Sequence, residues 1–273
     1  MKGGPLIRLV ISNQRGGVGK TTTVVTLARC FAERGLKVLL LDTDSQGSVT
    51  SVLNLKPESG CNLHGLLIKN LRFSECVTPA HPRIDVVCGD RSTMEAEAML
   101  IGQSFREYVL QKALQGHDEQ YDVILIDVAP SVTLFQTCAM IYARKVLVPV
   151  DIDMLSFQGA LASLETTSFL RQSVPSGADI GVLGILPTKV DRRLAMTDTV
   201  MGALEQIKGR CEHGLLPAVR TDQAVFKAVR SRKFLHDFDP RSKAVEDYMA
   251  VADAIFDVFE QKGAMTSDAE APA

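Results

Sequence analysis

Asn13-Gln14-Arg15-Gly16-Gly17-Val18-Gly19-Lys20-Thr21-Thr22-Thr23 separates a strand-sized apolar run at 6–12 from a stretch of helical periodicity at 21–34. Glycines at 16, 17 and 19 let the backbone curl so that successive N–H groups converge on one point. The helix that follows adds its positive N-terminal end, and such a strand-loop-helix cradle suits phosphate oxygens. In this pattern Lys20 reaches the β and γ phosphates and the Thr21 hydroxyl ligates Mg²⁺. The general form G-x-x-x-x-G-K-[ST] places glycine at 14, where this chain has Gln14, so the loop is a variant of the type.

Short apolar runs alternate with longer amphipathic stretches along the rest of the chain, the signature of β-α-β units winding a parallel sheet. The pattern predicts strands at 6–12, 37–42, 84–88, 122–127, 145–150 and 180–187. It predicts helices at 21–34, 92–114, 131–144, 156–170, 196–208, 222–232 and 241–261. Val123-Ile124-Leu125-Ile126 lacks polar alternation, as expected of a strand covered by helices on both faces. The fold class read from this is α/β, a twisted, mostly parallel sheet with helices on both faces. One nucleotide-binding domain spans 1–262, and the Ala-, Ser- and acid-rich tail at 263–273 is read as disordered.

Composition excludes several classes. The 273 residues are 46% hydrophobic and 23% charged, ordinary for a globular chain and unlike a collagenous or wholly disordered one. Thirty basic and 32 acidic side chains leave a net charge of −2, so no global field announces a partner. No apolar run approaches the ~18 residues of a membrane span. The early apolar stretch is broken by Arg8 and lacks a small-residue cleavage site, so a cytoplasmic address is expected. Six scattered cysteines without a CxxC pair predict reduced thiols in packing roles.

Two carboxylate sites lie at strand C-termini, where open α/β sheets bind ligands. Leu41-Asp42-Thr43-Asp44-Ser45-Gln46-Gly47 follows the second strand, and Asp127 ends the run Val123-Ile124-Leu125-Ile126. Asp127 reads as the acid that holds Mg²⁺ directly or through water. Asp44 is a candidate for orienting an attacking water, because a carboxylate with an ordinary pKa near ~3.9 is a feeble base at neutral pH.

Together with Tyr121-Asp122-Val123-Ile124-Leu125-Ile126-Asp127-Val128-Ala129-Pro130-Ser131, Leu186-Pro187-Thr188-Lys189-Val190-Asp191-Arg192-Arg193 and Asp239-Pro240-Arg241-Ser242-Lys243-Ala244, these segments resemble the ParA/Soj partition ATPases. That family sits in the deviant Walker A group of P-loop NTPases, which also contains MinD. The resemblance covers nearly the whole chain. It implies an ATPase whose ATP-bound homodimer binds double-stranded DNA without sequence preference. A cargo-bound partner of the ParB type stimulates hydrolysis, and the expected address is the nucleoid. It places the nucleotide on Gly16, Gly17, Val18, Gly19, Lys20, Thr21 and Thr22, with Thr188 and Pro217 at the base. It adds Asp42 to Thr21 and Asp127 in the metal shell, and Lys20, Asp44 and Arg15 in catalysis. With the loop beginning at Asn13, the N-terminal helix-turn-helix module of larger relatives is not expected.

Arg15 stands where the family has its signature lysine, which reaches across the dimer to the partner's phosphates. Arginine keeps the charge but offers a planar fork of donors. It could act as an arginine finger, alter the hydrolysis cycle, or have no role. Thr188-Lys189-Val190-Asp191 invites a second question, because Thr-Lys-x-Asp reads guanine in signal-recognition GTPases; the surrounding residues follow the ParA pattern and favour ATP.

From Lys189 to Lys233 ten basic side chains face five acidic ones, so this segment carries +5 and the remainder −7. The family's nonspecific DNA surface maps here onto Arg192, Arg193, Arg220, Lys227, Arg230, Arg232 and Lys233. Few aromatics and no Trp suit a duplex-backbone binder better than a single-strand stacker. Two alternatives remain on the same scaffold: a MinD-like membrane switch, disfavoured by the acidic end of the chain, and a metabolic or iron–sulfur-carrier ATPase.

Overall fold

The computed structural model describes residues 6–174 and 179–269, with side chains as far as 261. Seven strands form one sheet: β1 (Ile7–Ile11), β2 (Val38–Asp42), β3 (Val77–His81), β4 (Ile84–Val87), β5 (Val123–Asp127), β6 (Lys145–Asp151) and β7 (Gly181–Thr188). Their order is β3-β4-β2-β5-β1-β6-β7, and every neighbouring pair is parallel except β3 with β4. This is the architecture expected from the sequence.

Because successive side chains of a strand point to opposite faces, each central strand feeds two cores. Val123 and Leu125 of β5 join the cluster packed under the helices Lys20–Glu33 and Lys243–Ala269. Ile124 and Ile126 join the cluster on the other face, under Leu134–Ala143, Met154–Ser173 and Ala195–Ile207. All of β5 is buried, which explains its uninterrupted apolar run. Burial of such side chains contributes about 1.5–3 kcal/mol each, so the sheet's C-terminal edge is a rigid platform for the loops above it.

The structure differs from the sequence reading in several elements, and the first three differences have physical causes. The edge strand β3 was not expected; it contains Pro79, which cannot donate to a ladder and is tolerated only at an edge or irregularity, and the register shifts there. The helix expected over 92–114 is two, Ser92–Leu100 and Val109–Leu114, interrupted where Phe105 takes φ 58°. The helix expected from 131 begins at Leu134, because the Thr133 side chain accepts the Gln136 N–H and caps it there. Short helices at Ser48–Val52, Leu63–Leu67, Phe73–Cys76 and Leu235–Phe238 are also additions. The last helix runs Lys243–Ala269 and so enters the tail read as disordered; the end of that tail, 270–273, lies outside the described residues.

Candidate nucleotide and metal site

The loop between β1 and the helix Lys20–Glu33 is braced from behind by the helix Met154–Ser173. Asn13, fully buried, donates through Nδ2 to Pro149 O (2.8 Å) and Ser156 O (3.2 Å), and its Oδ1 accepts Arg15 N at 2.9 Å. Gln14 Nε2 donates to Thr166 Oγ1 at 2.8 Å and Ala162 O at 3.3 Å, so the departure from glycine at this position supplies a further anchor. The approach is close: a Cβ at Gly159 would lie 2.3 Å from Asn13 Oδ1 and 3.0 Å from Arg15 N. Within the loop Gly17 and Gly19 have φ 81° and 90°, the left-handed region that favours glycine.

Lys20 is buried, and its Nζ donates to Asn13 O and Arg15 O, both at 3.0 Å. Burial pulls its pKa down, opposed by Asp127 and Asp44. An ammonium held only by neutral carbonyls is readily redirected to an anion arriving at the loop.

Register brings the carboxylates together. Asp42 and Asp127 are paired residues at the ends of parallel β2 and β5, and Ile11 of β1 pairs with Asp127 on the other side. Thr21 Oγ1 donates to Asp127 Oδ2 at 2.7 Å. Asp42 Oδ2 is approached by the amide and hydroxyl of Thr50, both at 3.1 Å. The other oxygens, Asp42 Oδ1 and Asp127 Oδ1, are buried without a hydrogen-bond partner. Burial above all, then the Asp42 charge, pushes Asp127 well above the ordinary carboxylate range; burial raises Asp42 as well, against the two Thr50 bonds. Two buried like charges with orphaned oxygens beside a hydroxyl are a donor set for a hard divalent cation, which relieves the repulsion. Among the described residues no group of three His, Cys, Asp or Glu side chains could hold a metal. A cation here would therefore draw its remaining ligands from phosphate and water, the habit of Mg²⁺ rather than of Zn²⁺. Asp44 is nearly buried on the same edge, with its Oδ1 accepting Gln46 N at 2.9 Å.

The remaining expected residues fall in three places. Thr188 is buried and donates to Val18 O at 3.0 Å, so its hydroxyl grips the loop. Pro217 is exposed on a segment that runs beside β7 through the bridges Ile185 to Leu215 and Val190 to Arg220. Arg15 is exposed at the mouth of the loop. Of the basic residues, Arg220 is tied to Asp247 (2.7 Å) and Glu246 (3.0 Å), and Arg193 is closed on Asp191 (2.6 Å). These three ion pairs engage both arginines with carboxylates. Arg232 donates to the neutral Asn54 Oδ1 at 2.8 Å and keeps its charge available. Arg192, Lys227, Arg230 and Lys233 are exposed. Sequence reasoning missed the bracing role of Asn13 and the contact of Thr50 with Asp42; Asn13, directly before the glycines, carried a signal that could have been read.

A family model described as AAA domain matches residues 7–179, more than half of the chain. The chromosome partitioning protein ParA of Myxococcus xanthus is 30% identical over 246 residues, covering 89% of this chain and 85% of its own. The chain belongs to the ParA/Soj family. The sporulation initiation inhibitor protein Soj of Bacillus subtilis is 29% identical, covering 89% of this chain and 96% of its own. Among solved structures, cobyrinic acid a,c-diamide synthase from Mycobacterium smegmatis with bound ADP and magnesium superposes with a TM-score of 0.77 at 29% identity. It covers 92% of this chain and 94% of that one. Within the family, this member carries Arg15 at the position of the signature lysine.

Proposed function

We propose that this ParA/Soj-family chain is a magnesium-dependent ATPase that works as a dimerising switch. In the ATP state it binds duplex DNA without sequence preference and positions or segregates a plasmid, chromosome region or other cargo. A ParB-like partner accelerates its hydrolysis. One nucleotide-binding domain over 1–262 carries the switch, and its expected address is the nucleoid. The observation that supports this best is the pairing of a braced phosphate loop with the orphaned oxygens of Asp42 and Asp127 beside the Thr21 hydroxyl.

In this reading Gly16, Gly17, Val18 and Gly19 present amides to the phosphates, with Thr22 behind them in the first turn of the helix. Lys20 leaves its two carbonyls for phosphate oxygens. Thr21, Asp42 and Asp127 hold the cation, which when bound would neutralise charge on the β and γ phosphates. Asp44, fixed by Gln46 N, orients the attacking water. Arg15, exposed at the loop mouth, reaches the phosphates of a second protomer. Pro217 borders the base, and Thr188 supports it from the loop side.

The adenine preference is supported by Asp191. A guanine-reading carboxylate has to be open, whereas Asp191 accepts from Arg193 N, Nε and Nη2 at 3.0, 2.8 and 2.6 Å. The DNA reading is supported by the helix Gln223–Arg230. It buries Ala224 and Ala228, and exposes Lys227 and Arg230. A narrow gap lined by Thr22, Thr26, Val225, Ala228 and Val229 separates it from the helix Lys20–Glu33 that follows the phosphate loop, and this proximity supports a link between the two surfaces.

A metabolic ATPase is the second reading, favoured by the likeness to the diamide synthase. Its iron–sulfur-carrier form finds no support in Cys138, which is buried, donates to Arg106 O and is pushed up to about 12 by burial. No described helix is long and apolar enough to cross a membrane. ATP turnover measured with and without duplex DNA and the product of the adjacent gene tests the proposal. Stimulation by both supports it; turnover indifferent to both favours the metabolic reading.

A further inference from the structure

Two consecutive side chains at the C-terminal end of β7 reach the back of the phosphate loop. Thr188 Oγ1 donates to Val18 O at 3.0 Å, and Lys189 Nζ donates to Gly17 O at 2.6 Å. In extended backbone successive side chains leave opposite faces, so both can face one loop only if the chain turns between them. It does so at Lys189, whose φ of 52° lies in the left-handed region that a lysine enters at a cost. Thr221 Oγ1 donating to Lys189 O at 2.7 Å and Val190 N donating to Val219 O at 2.9 Å hold the turn.

Lys189 is itself anchored. Its Nζ also donates to Asp151 Oδ2 at 2.7 Å, while Asp151 Oδ1 accepts Ile152 N at 2.7 Å. The two side chains are 50% and 25% exposed, and a pair so open to water adds little to folding. A strained, exposed and doubly bonded lysine calls for another role.

We propose that Lys189, anchored by Asp151, is a positioning residue that sets the phosphate loop for nucleotide. In a trans peptide the C=O and the following N–H point in opposite directions. Drawing Gly17 O outward therefore aims the Val18 amide inward, and Thr188 does the same for Gly19 through Val18 O. The inference rests on the nucleotide-binding reading above. It differs from direct attraction of phosphate by the ammonium in one testable respect. If charge alone mattered, neutralising Asp151 would release the lysine and tighten binding. Acting through Gly17, the lysine needs its anchor, and the same change weakens binding.

The test is the affinity for Mg–ATP, with KM and kcat, in Lys189→Met, Lys189→Arg, Asp151→Asn and the Lys189→Met/Asp151→Asn double variant. Loss of one charged hydrogen bond predicts about tenfold weaker binding in Lys189→Met and in Asp151→Asn. The double variant should be no more than about twofold weaker than Lys189→Met, because both changes break one linkage. Lys189→Arg should restore most of the affinity, KM should rise by more than kcat falls, and the unfolding midpoint without nucleotide should stay close to that of the unaltered protein. Wild-type protein that fails to bind Mg–ATP would overturn the nucleotide reading itself. Wild-type protein that binds, with Asp151→Asn tighter or Lys189→Met unchanged, would overturn the role of Lys189 alone.

Discussion

Gly159 sits on the helix behind the phosphate loop, and Gly159→Ala tests whether that helix sets the loop's position. The added Cβ would lie 2.3 Å from Asn13 Oδ1, 2.9 Å from Arg15 Cβ and 3.0 Å from Arg15 N. To reach van der Waals distance the Asn13 side chain and the loop have to retreat by about 1 Å. Asn13 cannot rotate away cheaply, because Nδ2 holds Pro149 O and Ser156 O while Oδ1 holds Arg15 N. Two terms set the stability: alanine gains about 1 kcal/mol of helix propensity over glycine, and overpacking costs about 1–3 kcal/mol. The nucleotide-free protein should thus lose no more than about 2 kcal/mol. Nucleotide binding should suffer more, since a displacement near 1 Å in a preorganised site costs up to about 10²-fold. Calorimetric titration with Mg–ATP and urea unfolding without nucleotide measure the two effects separately. Gly202→Ala is the control, a helical glycine whose added Cβ meets nothing within 4 Å; it should raise stability and leave binding alone. Gly159→Ala binding Mg–ATP within about threefold of the parent would refute the bracing argument.

Other expectations follow from the same geometry. Asp42 and Asp127 have pKa values raised in the fold above the ordinary 3.8. The folded state therefore binds more protons than the unfolded one, and nucleotide-free stability falls as pH rises from about 4 toward neutrality. Asp127→Asn should flatten that slope in urea titrations and abolish Mg–ATP binding; an unchanged slope would show that the pair is not the source. Arg15→Ala should lower ATP turnover steeply at dimer-forming concentrations, with Arg15→Lys intermediate, and unchanged turnover in the alanine variant would remove the trans contact. Lys227→Glu with Arg230→Glu should weaken DNA binding and reduce the salt slope, whereas Arg220→Ala should act mainly on stability through Asp247.

The parts of the fold legible in sequence were those set by local pattern: the buried run of β5, the glycine loop and the carboxylates at the ends of β2 and β5. β3 was invisible because Pro79 and a half-buried edge leave no alternation to read. The break at 101–108 was hidden because Met99, Leu100 and Ile101 continue an apolar rhythm although Met99 and Ile101 are exposed. In the site, charge counting placed Arg220 among the DNA candidates, but its partners Glu246 and Asp247 come from a helix 26 and 27 residues on. Lys189 stood in a quoted motif, yet its contact with Gly17 spans 172 positions and depends on a left-handed turn that composition cannot show.

The proposed switch requires nucleotide state to control a basic DNA-binding face. The most direct measurement is the affinity of the full chain for random-sequence duplex DNA, loaded with a non-hydrolysable ATP analogue or with ADP, at 50 and 200 mM salt. Neutralisation of about six phosphates by an ATP-state dimer predicts a loss near 10³-fold across that salt range, and much weaker binding with ADP. Equal affinity in the two nucleotide states, or a flat salt response, would exclude a nucleotide-gated DNA-binding face.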